Sequence, residues 1–348
     1  MILPIFLTGL GCAKEPCVFC NQGIATSKAH LESPDEVKRR IEDSFKEYLS
    51  DQNLETIKYP LEVAFYGATF TALDFSYQKE LLKYVQELFE SYTKKSHQEN
   101  MLVRISTRPD RIRKEELLDL KIRFNLGLVE IGVQSMNNKV LAMSNRGHTK
   151  QDVVRATRDL TKIGLVFSCH QMIGLPGATV SDDLETTVEI VKLKPKYVRI
   201  HPTLVLKGTE LECMYNRGEY KPLDLDEAVN TTEKAVRLYR SAGILVIRVG
   251  VHPSELLKES IVAGPWHPAF RELVESRYLM REASTELALY EGQRVQLHIS
   301  PQDETYVRGE NNSNYNNLLD LFKLKDIVIV KDPKKPRGTI SVSINDLS

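Results

Sequence analysis

The chain opens Ile2-Leu3-Pro4-Ile5-Phe6-Leu7-Thr8-Gly9-Leu10-Gly11-Cys12-Ala13-Lys14-Glu15-Pro16-Cys17-Val18-Phe19-Cys20-Asn21-Gln22. Six apolar-rich residues read as a strand, and they run straight into a loop that holds three of the five cysteines of the sequence. Thiolates packed this closely in a loop are suited to metal. A structural zinc site wants four ligands, and a conventional iron–sulfur cubane wants four cysteines. Cys12, Cys17 and Cys20 supply three, which leaves one position open for chemistry. A zinc clip completed by a histidine is the competing reading, and His30 is the nearest candidate.

Working outward, strands alternate with helices. Leu61–Tyr66 is a strand ending in Gly67-Ala68-Thr69, and Leu102–Ser106 ends in Thr107-Arg108. Leu128–Val133 ends in Gln134-Ser135, Leu165–Met172 in Gly174-Leu175-Pro176-Gly177, and Tyr197–His201 follows. Helices are predicted at Val37–Leu49, Asp74–Tyr92, Lys114–Ile122, Asn137–Met143, Lys150–Ile163 and Ser181–Leu193, with a seventh strand at Ile244–Val249. Repeated βα units imply a parallel sheet. Their informative residues fall just past strand C-termini, the face on which barrel active sites lie. The pattern predicts an α/β fold, a partial (βα)6–7 parallel barrel over residues 1–250. The alternative is a doubly wound open sheet, which binds ligands at a switch point between two loops. Residues 251–292 read as a linking helical extension and 293–348 as a small α+β appendage.

Composition narrows the class. The 348 residues carry 47 Lys plus Arg against 47 Asp plus Glu, so no net field attracts polyanions. No apolar run approaches the roughly 18–20 residues that span a bilayer, so no membrane association is expected. An odd cysteine count with three clustered argues against a disulfide framework and places the chain in a reducing cytoplasm. Cys169 and Cys213 read as buried small hydrophobes.

The cysteine loop, with Phe19 before its last cysteine, resembles the cluster loop of radical S-adenosylmethionine (SAM) enzymes. Ile131-Gly132-Val133-Gln134-Ser135, Asn145-Arg146-Gly147-His148-Thr149, Gly174-Leu175-Pro176-Gly177, Pro202–Leu211, Arg217–Pro222 and Ala263–Leu273 narrow the resemblance to the branch of the Elongator catalytic subunit and its bacterial relatives. It covers roughly residues 1–280. The first cysteine gap is four residues where the superfamily usually has three.

The resemblance implies a [4Fe–4S] cluster on Cys12, Cys17 and Cys20, with SAM on the open iron. It implies reductive cleavage of SAM to a 5′-deoxyadenosyl radical, applied to RNA (tRNA) modification. It places SAM contacts at Gly67, Ala68, Thr69, Ser106, Arg108, Gln134, Gly174 and Gly177, with an electron donor of flavodoxin or ferredoxin type and tRNA as partners. No catalytic side chain is assigned. The chain ends about sixty residues after the shared core, too short for the acetyltransferase domain that the Elongator subunit carries, so its whole reaction is not expected here. Competing functions are a radical SAM enzyme acting on a small-molecule metabolite and a non-catalytic iron–sulfur protein that binds RNA or a partner. Val307–Asn314 resembles the backbone-clamping loop of KH RNA-binding modules; its plain alternative is a polar turn capping a helix.

Overall fold

A computed structural model describes residues 2–7, 10–12, 16–21, 33–50, 60–67, 69–251 and 254–345. Ala68 and His30 lie outside them. The strands are β1 (Ile2–Phe6), β2 (Leu61–Tyr66), β3 (Met101–Thr107), β4 (Leu126–Gln134), β5 (Val166–Ile173), β6 (Tyr197–Pro202), β7 (Val205–Leu206), β8 (Leu245–Val249), β9 (Ile261–Ala263), β10 (Arg294–Ile299), β11 (Asp326–Lys331) and β12 (Ile340–Ile344). The helices are α1 (Pro34–Ser50), α2 (Phe75–Thr93), α3 (His97–Asn100), α4 (Lys114–Phe124), α5 (Asn138–Met143), α6 (Lys150–Lys162), α7 (Val180–Leu193), α8 (Glu210–Asn216), α9 (Leu225–Ser241), α10 (Glu255–Ser260), α11 (Phe270–Leu287), α12 (Glu304–Arg308) and α13 (Ser313–Leu321).

Helix starts follow local chemistry. Ser33 and Glu36 cap α1 reciprocally, the Glu36 carboxylate accepting from the Ser33 backbone and the Ser33 hydroxyl accepting from the Glu36 N–H. Thr149 with Asp152 and Thr179 with Asp182 form capping boxes at α6 and α7. Asp74 accepts from the Ser76 N–H at the start of α2. Each cap satisfies backbone donors that the first turn leaves open.

Contacts divide the chain into two compact units, Met1–Leu223 with Tyr239–Pro265, and Asp224–Leu238 with Trp266–Ser348. This division differs from boundaries drawn at residues 250 and 292. The second unit holds a three-stranded sheet, β11-β10-β12, with β10 parallel to β11 and antiparallel to β12. The short β7 and β9 pair antiparallel in the first unit.

The main sheet of the first unit has seven strands in the order β1-β2-β3-β4-β5-β6-β8, every pairing parallel. The order never reverses, so there is no switch point of the doubly wound kind. The sheet also curls. Tyr66 on β2 and Arg199 on β6 are four strand spacings apart, about 19 Å across a flat sheet, yet the Arg199 guanidinium donates to the Tyr66 hydroxyl at 3.0 Å. The predicted partial barrel is therefore present.

Its two faces differ. Val63, Phe65, Val103, Ile105, Val129, Ile131, Phe167, Cys169, Val198 and Ile200 are buried and alternate with a polar set on the same strands. That set contains Glu62, Arg104, Glu130 and Arg199. Arg104 donates to both Glu62 and Glu130, and Arg199 pairs with Glu130 at 2.9 Å. Barrel interiors are commonly filled by Val, Ile and Leu. Here ion pairs fill this part of the interior. Burial raises the Glu130 carboxyl, against the pull of Arg199 and Arg104.

Candidate active site: the cysteine loop and the strand ends around it

The cysteine loop is built onto its neighbours by backbone geometry. Gly11 has φ +70°, and a Cβ there would stand 2.3 Å from the Thr69 carbonyl oxygen. Only glycine permits that approach and that φ together. The Thr69 N–H then donates to the Leu10 carbonyl at 3.1 Å, and the Thr69 hydroxyl lies 3.6 Å from the Cys12 sulfur. The Cys20 N–H closes a turn on the Cys17 carbonyl at 2.9 Å.

A second turn, directly after α5, grips the loop and is tied back to β4. Asn145, at φ +50°, donates its side-chain amide to the Pro16 carbonyl at 2.9 Å. The Val18 N–H donates to the Ser144 carbonyl at 3.3 Å. Arg146 donates one nitrogen to the Cys17 sulfur at 3.1 Å and another to the Gly132 carbonyl at 2.9 Å. His148 is buried with Nε2 3.2 Å from the Val133 carbonyl oxygen. Burial, and then the Arg146 charge, bring its pKa down to about 4.

A third grip comes from the segment after β6. The Leu211 N–H donates to the Val18 carbonyl at 2.8 Å, and the Asn21 amide donates to the Lys207 carbonyl at 2.9 Å. Val18 packs with Val205, Leu211 and Tyr220. Phe19 packs against that group and also against the group of Val140, Met172 and Leu175. The ends of β2, β4, β5 and β6 thus meet the cysteine loop at one face.

The three cysteines are in no disulfide; Cys12 is exposed and Cys17 and Cys20 are half-buried. Among the described residues no three of His, Cys, Asp and Glu converge closely enough to hold one metal ion. A cubane takes each thiolate at a different iron, so its ligands stand around a cluster, and a loop of three accessible thiols beside a guanidinium fits such a group.

The other expected contacts fare differently. Gln134 ends β4 with φ +66°, and its buried Oε1 has no hydrogen-bond partner among the described residues, so an acceptor at this strand end is left open. Ser106 is half-buried, in register with Glu130. Gly67 has φ +77° and joins β2 to the Thr69 turn. Arg108 is engaged within its own turn, donating to both Asp110 carboxylate oxygens at 2.9 and 3.1 Å. Gly174 and Gly177 are required by their positive φ and by neighbours: a Cβ would meet Leu223 at 3.0 Å and the Met143 sulfur at 2.4 Å, respectively.

Cys169 is buried, and burial pushes its thiol well up. Cys213 is exposed on α8, which corrects its reading as a buried hydrophobe: α8 is a short helix and turns this position to solvent. His170 and His201 stack edge to face at 4.3 Å. Burial, reinforced by nearby Arg248 and Arg199, lowers His201 to about 3, and burial holds His170 well below its ordinary value. Both rings are neutral near pH 7. His267 accepts the Ala269 N–H at 3.1 Å, a local turn contact.

Sequence reading passed over the Glu62–Arg104–Glu130–Arg199 network. Its signal was present, since Glu62, Arg104, Glu130 and Arg199 are each the one Asp, Glu, Lys or Arg of their strand. It also passed over what the Asn145-Arg146 turn touches.

The model of the radical SAM superfamily matches residues 6–190, more than half of the chain. The chain belongs to the radical SAM superfamily. The radical SAM C-terminal domain matches residues 195–280. As a radical SAM enzyme, the chain uses the [4Fe–4S] cluster and SAM of that superfamily. Among curated proteins it is 30% identical over 281 residues to the tRNA uridine(34) acetyltransferase of Methanocaldococcus jannaschii, covering 70% of this chain and 52% of that protein. It is 26% identical to Elongator complex protein 3 of Danio rerio, over 63% of this chain and 41% of that protein. The solved structure of the archaeal Elp3 of Methanocaldococcus infernus superposes with a TM-score of 0.61 at 25% identity, covering 80% of this chain and 62% of that one. The chain spans about half the length of the curated relatives named first. The resemblance to the Elongator branch is thereby established. No helix among the described residues is long and apolar enough to cross a membrane.

Proposed function

We propose that this radical SAM enzyme holds its [4Fe–4S] cluster on Cys12, Cys17 and Cys20 and acts on tRNA, at a uridine of the anticodon region. The observation that carries the reading is the triple grip on the cysteine loop by elements at four strand ends. Held by Cys12, Cys17 and Cys20, the cluster would supply the one-electron reductive cleavage of SAM that provides radical chemistry in this superfamily.

The chain's own residues position and exclude, as expected where the hard chemistry is the cofactor's. The open acceptor of Gln134 suits the ammonium group of SAM. Gly67, Thr69 and Ser106 line the neighbouring strand ends, and Ala68 belongs to the same segment. Arg108, Gly174 and Gly177 enter through the backbone they shape, since Asp110, Leu223 and Met143 occupy their side-chain space. Phe19 packs on Met172 and Leu175 and gives the loop an apolar wall on that side. The tRNA substrate is supported by relatives that match the same region, among them the tRNA uridine(34) acetyltransferase of Methanocaldococcus jannaschii. The proposal takes the radical step alone and assigns no acetyl transfer. A flavodoxin- or ferredoxin-type protein is the proposed electron donor.

The test is anaerobic incubation of the reconstituted chain with SAM, dithionite and bulk tRNA. Formation of 5′-deoxyadenosine is expected to rise with tRNA and to vanish in Cys17→Ala, together with the brown chromophore. Binding of tRNA should weaken steeply with salt. Persistent SAM cleavage in Cys17→Ala sinks the ligand assignment. Cleavage indifferent to tRNA, with no tRNA binding at low salt, sinks the substrate.

A further inference from the structure

We infer that Arg146 is a positioning residue for the iron–sulfur cluster, acting as hydrogen-bond donor and counter-ion to the Cys17 sulfur and thereby raising the reduction potential. The inference rests on Cys17 being a cluster ligand.

Arg146 is buried, 6% exposed. Among the described residues its guanidinium has two partners, the Cys17 sulfur at 3.1 Å and the Gly132 carbonyl oxygen at 2.9 Å, and neither is a carboxylate. The other buried arginine of the barrel, Arg104, has two carboxylates. A buried charge without an opposite charge is costly, so Arg146 needs an anion, and the atom it faces is a thiol sulfur. Three thiolates more than cancel the positive charge of a cubane core, and reduction adds a further electron. The missing counter-ion is therefore the thiolate-bound cluster, in its reduced form above all.

Geometry is held on both sides of this contact. A Cβ at Gly132 would lie 3.0 Å from the Arg146 guanidinium, so a side chain there would press on this contact. The planar fork reaches carbonyl and sulfur at once, which a lysine ammonium at the end of a flexible stem does not reproduce. Asn145 and Ser144 on the same turn hold Pro16 and Val18, so the backbone on either side of Cys17 is anchored to the turn that carries Arg146. Hydrogen bonds to cluster sulfurs and to ligands are among the means by which a protein sets potential.

The test is potentiometry followed by electron paramagnetic resonance on the full reconstituted chain, with iron and sulfide measured on each sample. R146M is expected to load iron as the wild type does and to be about tenfold harder to reduce, roughly 59 mV lower for one electron. R146K, which keeps charge and loses the two-point hold, should fall between. N145A loosens the same turn while leaving the Arg146 guanidinium in place, and should shift the midpoint by much less than R146M does. A wild-type midpoint in iron-loaded R146M overturns the inference, as does an equal shift in N145A. If R146M loads no iron, R146K decides: a wild-type midpoint there overturns the role and a lowered one supports it. Failure of both to load, with N145A loading, makes Arg146 a folding requirement and overturns the potential-setting role. Full iron loading in Cys17→Ala instead removes the ligand reading on which the inference stands.

Discussion

Tyr220 donates its hydroxyl hydrogen to the carbonyl oxygen of Gly174 at 2.7 Å, linking the segment after α8 to the end of β5. The ring is buried, and burial followed by the Asp183 charge pushes its pKa well above the ordinary phenol value, so the group is a fixed neutral donor. Tyr220→Phe keeps the packing on Val18, Val205 and Leu211 and removes only this bond. A loss of about 1 kcal/mol is expected, read by urea denaturation at constant slope.

Gly11 is expected to tolerate no side chain. Its φ of +70° is shared by Gly218, at +72°, but a Cβ at Gly218 meets nothing within 4 Å whereas one at Gly11 meets the Thr69 carbonyl. Gly218→Ala should therefore cost only the left-handed backbone strain, about 1–2 kcal/mol, and load iron normally. Gly11→Ala adds a backbone collision and should lose iron as well as stability. Equal behaviour of the two variants in iron content and thermal unfolding would refute the close-approach argument.

Arg104 is the hinge of the buried charge network, paired with both Glu62 and Glu130. Arg104→Met leaves two carboxylates facing a barrel interior with Arg199 alone to compensate. Removing one partner of a buried pair costs about 3–5 kcal/mol, so chemical denaturation should show a loss of that size. Restoring neutrality with Glu62→Gln in the same chain should recover part of it.

Asp183 accepts the Gly174 N–H at 2.9 Å, yet burial dominates and lifts its pKa from 3.8 to about 7. The folded state therefore holds this proton over a range where the unfolded chain has released it. Stability from this group is full below pH 3.8 and is lost as pH rises towards about 7. Asp183→Asn can still accept the Gly174 N–H and should be the more stable chain at pH 8, with a flatter stability profile between pH 4 and 7. A profile unchanged by the substitution would mean that Asp183 does not titrate there.

The alternation of strands and helices and the clustering of Cys12, Cys17 and Cys20 were legible in the chain. These rest on local physics: the periods of strand and helix, and the few residues between ligands. The sequence by itself determined that a parallel barrel would carry its chemistry at strand C-termini, and which cofactor family its loop suits. Tertiary structure decided which side chains meet there. Arg108, one of the expected SAM contacts, pairs with Asp110 two residues away, a short-range contact that spacing alone does not reveal. Arg146 reaches Cys17 across 129 residues of chain, and Tyr66 reaches Arg199 across 133. Both distances depend on how tightly the sheet curls. Curl is a property of the whole sheet, summed over the twist of every strand pair, and no single segment encodes it.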